Sequence, residues 1–365
     1  MTKRQLGLSV YPNYSNLEDD ERYLKKAAQF GFSKVFMSLL EVNENQDQVL
    51  RKYAILIQFA KNLNYQVTLD IAPAIFKQLG ISYEDLSFFS ELGADAIRLD
   101  QGFDGQKEAM LSYNEQQLTI ELNMSNDVSY LDNILTYQAN KPYISGCHNF
   151  YPQAGTGLPL AFFKQCSERF RKHNIDTAAF VTASEGNVGP WSINDGLPTL
   201  EMHRNLPITI QCKHLFATGL IDTVIIGNAY ATDNELAEMG AINRYQTVFS
   251  IELESDISSV ERQIILNNQH FRRGDITDQV IRSTEVRKIY QTDNPQHGIT
   301  HQFKRGDVVI GNNQFGKYQN ELQIVLADHE DIRKNKVGAI VANEQFLLET
   351  INPWSKFRFE VHQNG

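Results

Sequence analysis

Short apolar runs, each closed by a polar residue, recur eight times before residue 230: Leu6–Tyr11, Val35–Leu40, Gln66–Asp70, Ala96–Asp100, Leu118–Asn123, Tyr143–His148, Ala178–Ser184 and Thr223–Gly227. Runs rich in Val, Ile, Leu and Phe suit strands buried on both faces of a parallel sheet. Helix-like segments separate them. Asn16 or Ser15 is placed to cap a helix over Leu17–Phe30, with Glu18, Asp19 and Asp20 in its first turn and Gly31 as its stop. The same order of helix, glycine, turn and strand returns at Gly31–Val35, Gly93–Ile97 and Gly219–Val224. Eight such units in about 240 residues predict an α/β fold, a (β/α)8 TIM barrel with its last helix over Asn234–Tyr245. A doubly wound open sheet shares the local grammar, but the regular count of eight favours closure.

Beyond that helix the pattern changes. Thr247–Leu253 alternates, Ile257–Leu266 reads as a helix, and short extended runs follow at Val280–Arg282, Asp307–Ile310, Leu322–Leu326, Lys336–Ala342 and Phe357–Val361. Glycine-rich corners at Arg305–Asp307 and Gly311–Asn313 suit a small antiparallel barrel. The expected division is a barrel domain over 1–247 and a smaller, mostly β domain over 248–365, with no long linker between them.

The totals narrow the possible partners. The 365 residues carry 34 basic and 44 acidic side chains, a net charge of −10, which argues against a general nucleic-acid binder. Three cysteines, Cys147, Cys166 and Cys212, show neither disulfide arithmetic nor metal-ligand spacing. No run approaches the ~20 apolar residues of a membrane span, and Met1–Gln5 does not resemble a leader. A cytoplasmic protein without membrane partners is expected.

In a barrel, chemistry sits where strands end. The strand ends offer Ser9 and Tyr11; Glu41 and Asn43; Asp70; Arg98 and Asp100; Glu121, Asn123 and Asn126; His148, Asn149 and Tyr151; Ser184 and Glu185; Asn228 and Tyr230. Arg98 and Asp100 are two apart and so face one way. Glu41, Asp70, Asp100 and Glu185 place four carboxylates around one mouth, and buried charges need partners or a purpose. Asn123, His148, Asn149 and Tyr151 suit sugar hydroxyls. No HExxH or similar spacing supports a metal site, and no Walker or Rossmann glycine loop is present, so neither metal nor cofactor is expected. Barrels do bind phosphate after strands seven and eight, so Ser184–Gly186 and Gly227–Ala229 are candidate anion loops. Arg204 can add a cation from the long Glu185–Asn205 loop, which also carries Trp191 and His203. In the second domain Arg305, Asn313 and Tyr318 lie in a dense polar and aromatic stretch that can either be a plain hairpin or close over the barrel mouth.

Several of these stretches are long enough to carry a resemblance. Leu6–Pro12, Phe36–Leu39, Ile97–Asp100, Cys147–Pro152, Thr182–Gly186 and Arg305–Asn313 resemble a bacterial family associated with 6-phospho-N-acetylmuramidases, some members of which were once labelled outer surface proteins. The resemblance spans essentially the whole chain. It implies a barrel followed by a cyclophilin-like β domain. It also implies hydrolysis of the β-1,4 bond of 6-phospho-N-acetylmuramyl-N-acetylglucosamine, a peptidoglycan fragment phosphorylated on uptake and recycled inside the cell.

Many retaining barrel glycosidases place the acid/base after strand four and the nucleophile after strand seven. By that analogy Asp100 is the candidate acid/base and Glu185 the candidate nucleophile, with Glu41 in reserve. Asp70 can orient a neighbour or raise its pKa, and Arg98 is a structural partner or a substrate anchor. Inverting and substrate-assisted routes stay open. So do two other classes: a phosphosugar lyase or isomerase, and a non-enzymatic muropeptide sensor. An aldolase is disfavoured because no lysine ends a strand.

Overall fold

The computed structural model describes residues 3–39, 46–72, 76, 81–126, 129–298 and 301–362, with side chains from 49 onward in the second of these stretches. Glu41, Asn43 and Pro73, singled out at or just after strand ends, lie outside the described residues. The chain divides into two compact units, Met1–Ile242 and Asn243–Gly365.

In the first unit eight parallel strands close on themselves: β1 (Gln5–Val10), β2 (Lys34–Ser38), β3 (Gln66–Ile71), β4 (Ala96–Leu99), β5 (Thr119–Asn123), β6 (Ile144–Cys147), β7 (Asp176–Val181) and β8 (Thr223–Ile226). Closure is made by β1 on β8, with Gln5 opposite Thr223 and Leu8 opposite Ile226. The described helices are α1 (Leu17–Gln29), α2 (Gln46–Asn62), α3 (Ser87–Leu92), α4 (Gln106–Leu111), α5 (Tyr130–Thr136), α6 (Leu160–Arg171), α7 (Ile208–Ala217) and α8 (Asp233–Ala241). Asn16 caps α1, accepting from the Asp19 amide at 2.8 Å, whereas Ser15 turns to Asp20 at 2.7 Å. The glycine stops Gly31, Gly93 and Gly219 have φ of 80°, 98° and 71°, a left-handed conformation that a side chain resists. The last helix ends four residues earlier than its apolar pattern suggests, because Ile242 turns to extended backbone.

Alternation along each strand splits the side chains into two sets. Leu6, Leu8, Val35, Met37, Ile97, Leu99, Ile120 and Leu122 face the helices and form the main core. The other set fills the barrel, and it is divided. Phe36, Cys147, Ala178, Phe180 and Ile225 form an apolar cluster. Lys34, Asp70, Arg98 and Glu121, from β2 to β5, bring charge to the same interior. Lys34 meets Glu121 at 2.8 Å, with both side chains largely buried.

Helix α8 carries a device that also shapes the mouth. Thr232 and Glu235 form a capping box, and the other Glu235 oxygen accepts from the Ser184 amide at 2.7 Å and its hydroxyl at 2.9 Å. Those bonds hold the Glu235 carboxyl below its usual range, against its partial burial. One side chain thus ties the end of β7 to the start of α8. Glu235→Ala is expected to cost about 1–2 kcal/mol in chemical denaturation, the scale of a lost cap plus an orphaned amide. A change below a few tenths would show that the tie is dispensable.

The second unit is mostly β. Its strands are β9 (Thr247–Leu253), β10 (His270–Phe271), β11 (Val280–Ser283), β12 (Gln302–Phe303), β13 (Asp307–Gly311), β14 (Leu322–Val325), β15 (His329–Glu330), β16 (Lys334–Ile340) and β17 (Lys356–Val361); its helices are α9 (Ser259–Leu266) and α10 (Val286–Ile289). Seven strands run in the order β10-β17-β9-β16-β13-β14-β11, with β12 and β15 as a separate pair. The expected antiparallel pattern holds except at β17, which lies parallel to β9, with Phe359 opposite Phe249.

Candidate active site

The charged cluster at the mouth begins with register. Asp70 at the end of β3 lies opposite Arg98 of β4, and Arg98 opposite Glu121 of β5. Since paired residues of adjacent parallel strands share a face, all three point into the barrel. Arg98 is the hub. Its Nη1 donates to Asp70 Oδ1 at 2.6 Å and to Asp100 Oδ1 at 3.3 Å, and its Nη2 donates to the Asn149 side-chain oxygen. Asp70 and Arg98 are almost wholly buried, while the Asp100 side chain keeps 33% of its surface exposed. Asn123 fixes the end of β4, donating from Nδ2 to the Asp100 carbonyl at 3.1 Å.

Burial pushes the Asp70 carboxyl up to about 6, with Asp100 and Glu121 adding to the rise and Arg98 opposing it. Burial works against the Arg98 cation as well, but Asp70 and Asp100 outweigh it and hold the guanidinium firmly charged. Arg98 Nε and Glu121 Oε1, at paired positions, are buried with no protein partner among the described residues.

Several residues chosen from the strand ends prove to be committed elsewhere. His148 is turned away from the mouth into the helix layer. Its ring lies 4.6 Å from Phe163 and contacts Ser167 Oγ at 2.9 Å and Ser125 Oγ at 3.2 Å. Burial and the Arg98 charge drive its pKa down to about 3, so it is a neutral packing residue. Asn228 spends its amide on the chain, bonding the Ala183 amide, the Ala183 carbonyl and the Gly186 carbonyl, each at 2.8 Å. Tyr230 donates to the buried Asp20 at 2.8 Å and packs edge-on against Tyr23. Three amides of the proposed anion loops are in use: Ser184 N donates to Glu235, Gly227 N to the Val181 carbonyl and Ala229 N to the Val188 carbonyl.

Arg204 is likewise internal. It holds Glu201 at 2.6 Å and the carbonyls of Tyr151, Gln153, Asp195 and Gly196 between 3.0 and 3.2 Å. It pins the long loop after β7, together with the buried His203–His214 contact at 2.7 Å. Glu185, on that loop, is exposed and makes no hydrogen bond or ion pair with a described residue. Tyr151 is half-buried, and burial raises its phenol.

In the second unit Arg305 pairs with Glu349 at 2.7 Å. Asn313 accepts from the Asn294 amide and from Gln319, each at 2.7 Å. Tyr318 lies beneath three cations, Arg282, Arg287 and Lys317, 5.0–5.5 Å from its ring centre. These contacts all lie within the second unit. No group of three or more His, Cys, Asp or Glu able to hold a metal occurs among the described residues, and no described helix is long and apolar enough to cross a membrane.

Sequence reasoning passed over Asn149 as the Arg98 partner, Glu235 as the brace of β7, and the aromatic residues around Trp191. The first two carried a signal: an amide two residues past the end of β6, and the Thr-x-x-Glu spacing of a capping box over Thr232–Glu235.

A closed barrel whose strand ends gather Asp70, Arg98, Asp100 and Asn149 has the framework of a barrel enzyme acting on a polar small molecule. The chain belongs to the 6-phospho-N-acetylmuramidase family: the family's N-terminal model matches residues 6–241 and its C-terminal model residues 247–360. That family supports a glycoside hydrolase role. Among solved structures, an uncharacterized B. cereus protein is 51% identical, with a TM-score of 0.91 over 98% of this chain and 100% of that one. A conserved Enterococcus faecalis protein of unknown function is 25% identical, with a TM-score of 0.70 over 98% and 96% of the two chains. No curated protein matches the sequence.

Proposed function

We propose that this protein hydrolyses the β-1,4 bond of 6-phospho-N-acetylmuramyl-N-acetylglucosamine, in the cytoplasm, as a step of peptidoglycan recycling. The observation that carries the reading is the match of the family models along both units. The mouth is chemically suited to it. Asp100 is exposed enough to reach a glycosidic oxygen and is held by one oxygen only. As acid/base it protonates the leaving group and then draws a proton from water. The Arg98 guanidinium, 3.3 Å from one Asp100 oxygen, orients that carboxyl. Arg98 is therefore a positioning residue, itself held by Asp70 and Asn149. Glu185 is the nucleophile in this reading, with Glu41 in reserve.

The test is mass spectrometry of the purified protein incubated with the phosphorylated disaccharide, its unphosphorylated counterpart and an EDTA control. Cleavage of the phosphorylated sugar alone, unchanged by EDTA, is expected. A folded protein that cleaves neither sugar would overturn the hydrolase reading.

A further inference from the structure

Beside the charged cluster lies a second, chemically distinct recess, small and partly open to solvent. Its walls are aromatic: Tyr11 and Tyr14 follow β1, Tyr53 comes from α2, and Pro190 and Trp191 come from the loop after β7. Ser38, which ends β2, lines it and lies opposite Asp70 in register, so the recess adjoins the charged cluster. The inner wall is rigid. Tyr53 donates its hydroxyl to the Ser38 carbonyl and Tyr11 to the Gly227 carbonyl, and both rings are fully buried, so they form a fixed floor behind the exposed Tyr14 and Trp191.

Trp191 is 45% exposed, yet it is not loose. Its ring lies 6.0 Å from Phe150, which packs edge-on against Phe180 at 5.0 Å and Phe36 at 6.2 Å. An aromatic column thus rises through the barrel and ends in an indole face at the mouth. None of the described residues lining the recess carries a charge. A phosphate or a lactyl carboxylate would find no cation in that lining, and the Lys52 ammonium beside it is engaged by the Pro12 and Ser15 carbonyls. A neutral pyranose would lay its C–H face on the indole and keep its hydroxyls toward Asn13, Ser38 and water.

Resting on the hydrolase reading, we infer that the Trp191 recess is the subsite for the uncharged N-acetylhexosamine half of the disaccharide, leaving the anionic half to the rest of the mouth. Trp191 is one of two tryptophans; the other, Trp354, stacks on Phe271 in the second unit. A Trp354→Phe background therefore makes Trp191 the sole indole reporter. Titration with N-acetylglucosamine is expected to give a saturable change in emission. N-acetylglucosamine 6-phosphate should need about tenfold more sugar for the same change. In turnover of the disaccharide, Trp191→Ala should raise KM about tenfold with a much smaller effect on kcat, and Trp191→Phe should recover most of it. No response to N-acetylglucosamine, a tighter response to the phosphorylated sugar, or an unchanged KM in Trp191→Ala would overturn the assignment. If the disaccharide is not cleaved at all, the hydrolase reading fails, while the titration still decides whether the recess takes a neutral amino sugar.

Discussion

Replacing Asp100 by asparagine, or Glu185 by glutamine, is expected to lower kcat on the phosphorylated disaccharide by about a thousandfold or more while leaving the protein folded. Both substitutions keep size and shape and remove only the ability to exchange a proton or form a covalent bond. Asp100 is partly exposed and bound by one oxygen, and Glu185 is exposed on its loop, so neither amide should disturb packing. The two variants should then part company. Azide can replace a missing nucleophile, so a Glu185→Ala protein that regains turnover with azide and yields a glycosyl azide of inverted anomeric configuration would assign the covalent role. A Glu185→Gln protein with near-normal turnover would remove that residue from the pair and direct attention to Glu41 or to the substrate's own acetamido oxygen. Near-normal turnover in Asp100→Asn would remove the acid/base.

The second large effect is on stability. Arg98→Met fills similar volume but takes away the cation that, among the described residues, contacts both Asp70 and Asp100. Removing one partner of a buried pair typically costs about 3–5 kcal/mol, because the remaining charge is left without solvent or counter-ion. The loss should depend on pH, with a definite sign. The native Asp70 carboxyl titrates near 6 against an ordinary value of 3.8. Between those values the folded state holds the extra proton, so this group's share of stability is complete below the lower value and fades as pH rises through the upper one. Without Arg98 the native carboxyl moves higher still and escapes the penalty by staying protonated. Urea denaturation should therefore show the full deficit at pH 7.5 and a smaller one at pH 5. Equal deficits at both would mean that Asp70 does not carry the effect.

The barrel strands were legible because buried parallel strands have to be short, apolar and bounded, and the glycine stops because a left-handed residue rarely tolerates a side chain. Arg98 and Asp100 were legible as a pair from their spacing of two. What the chain concealed was direction and distance. His148 follows Cys147, which faces into the barrel, so alternation turns the imidazole out to Phe163 and Ser167. Polarity at a strand end says nothing of that turn. Tyr230 finds Asp20, 210 positions away, and Asn228 finds Ala183, 45 away, so no local pattern could mark either as already bonded. Arg204 looked like a cation free to bind an anion, but a guanidinium has enough donors to serve a whole ring of carbonyls, and the loop uses them. Trp191 had no periodic setting at all; its place became visible only when Phe36, Phe150 and Phe180 packed edge-on beneath it.

The divided interior of the barrel bears on how such a sequence is free to drift. On the side of Phe36, Phe180 and Ile225 the constraint is volume, and one side chain may grow as a neighbour shrinks. On the side of Lys34, Glu121, Arg98 and Asp70 the constraint is electroneutrality, and a single step almost anywhere strands a charge. One core therefore obeys two grammars of substitution. Descendants would wander by gradual exchange of bulk on one flank and by rare, paired replacements on the other, and the strands that look most alike in composition would be those least alike in what history permits them.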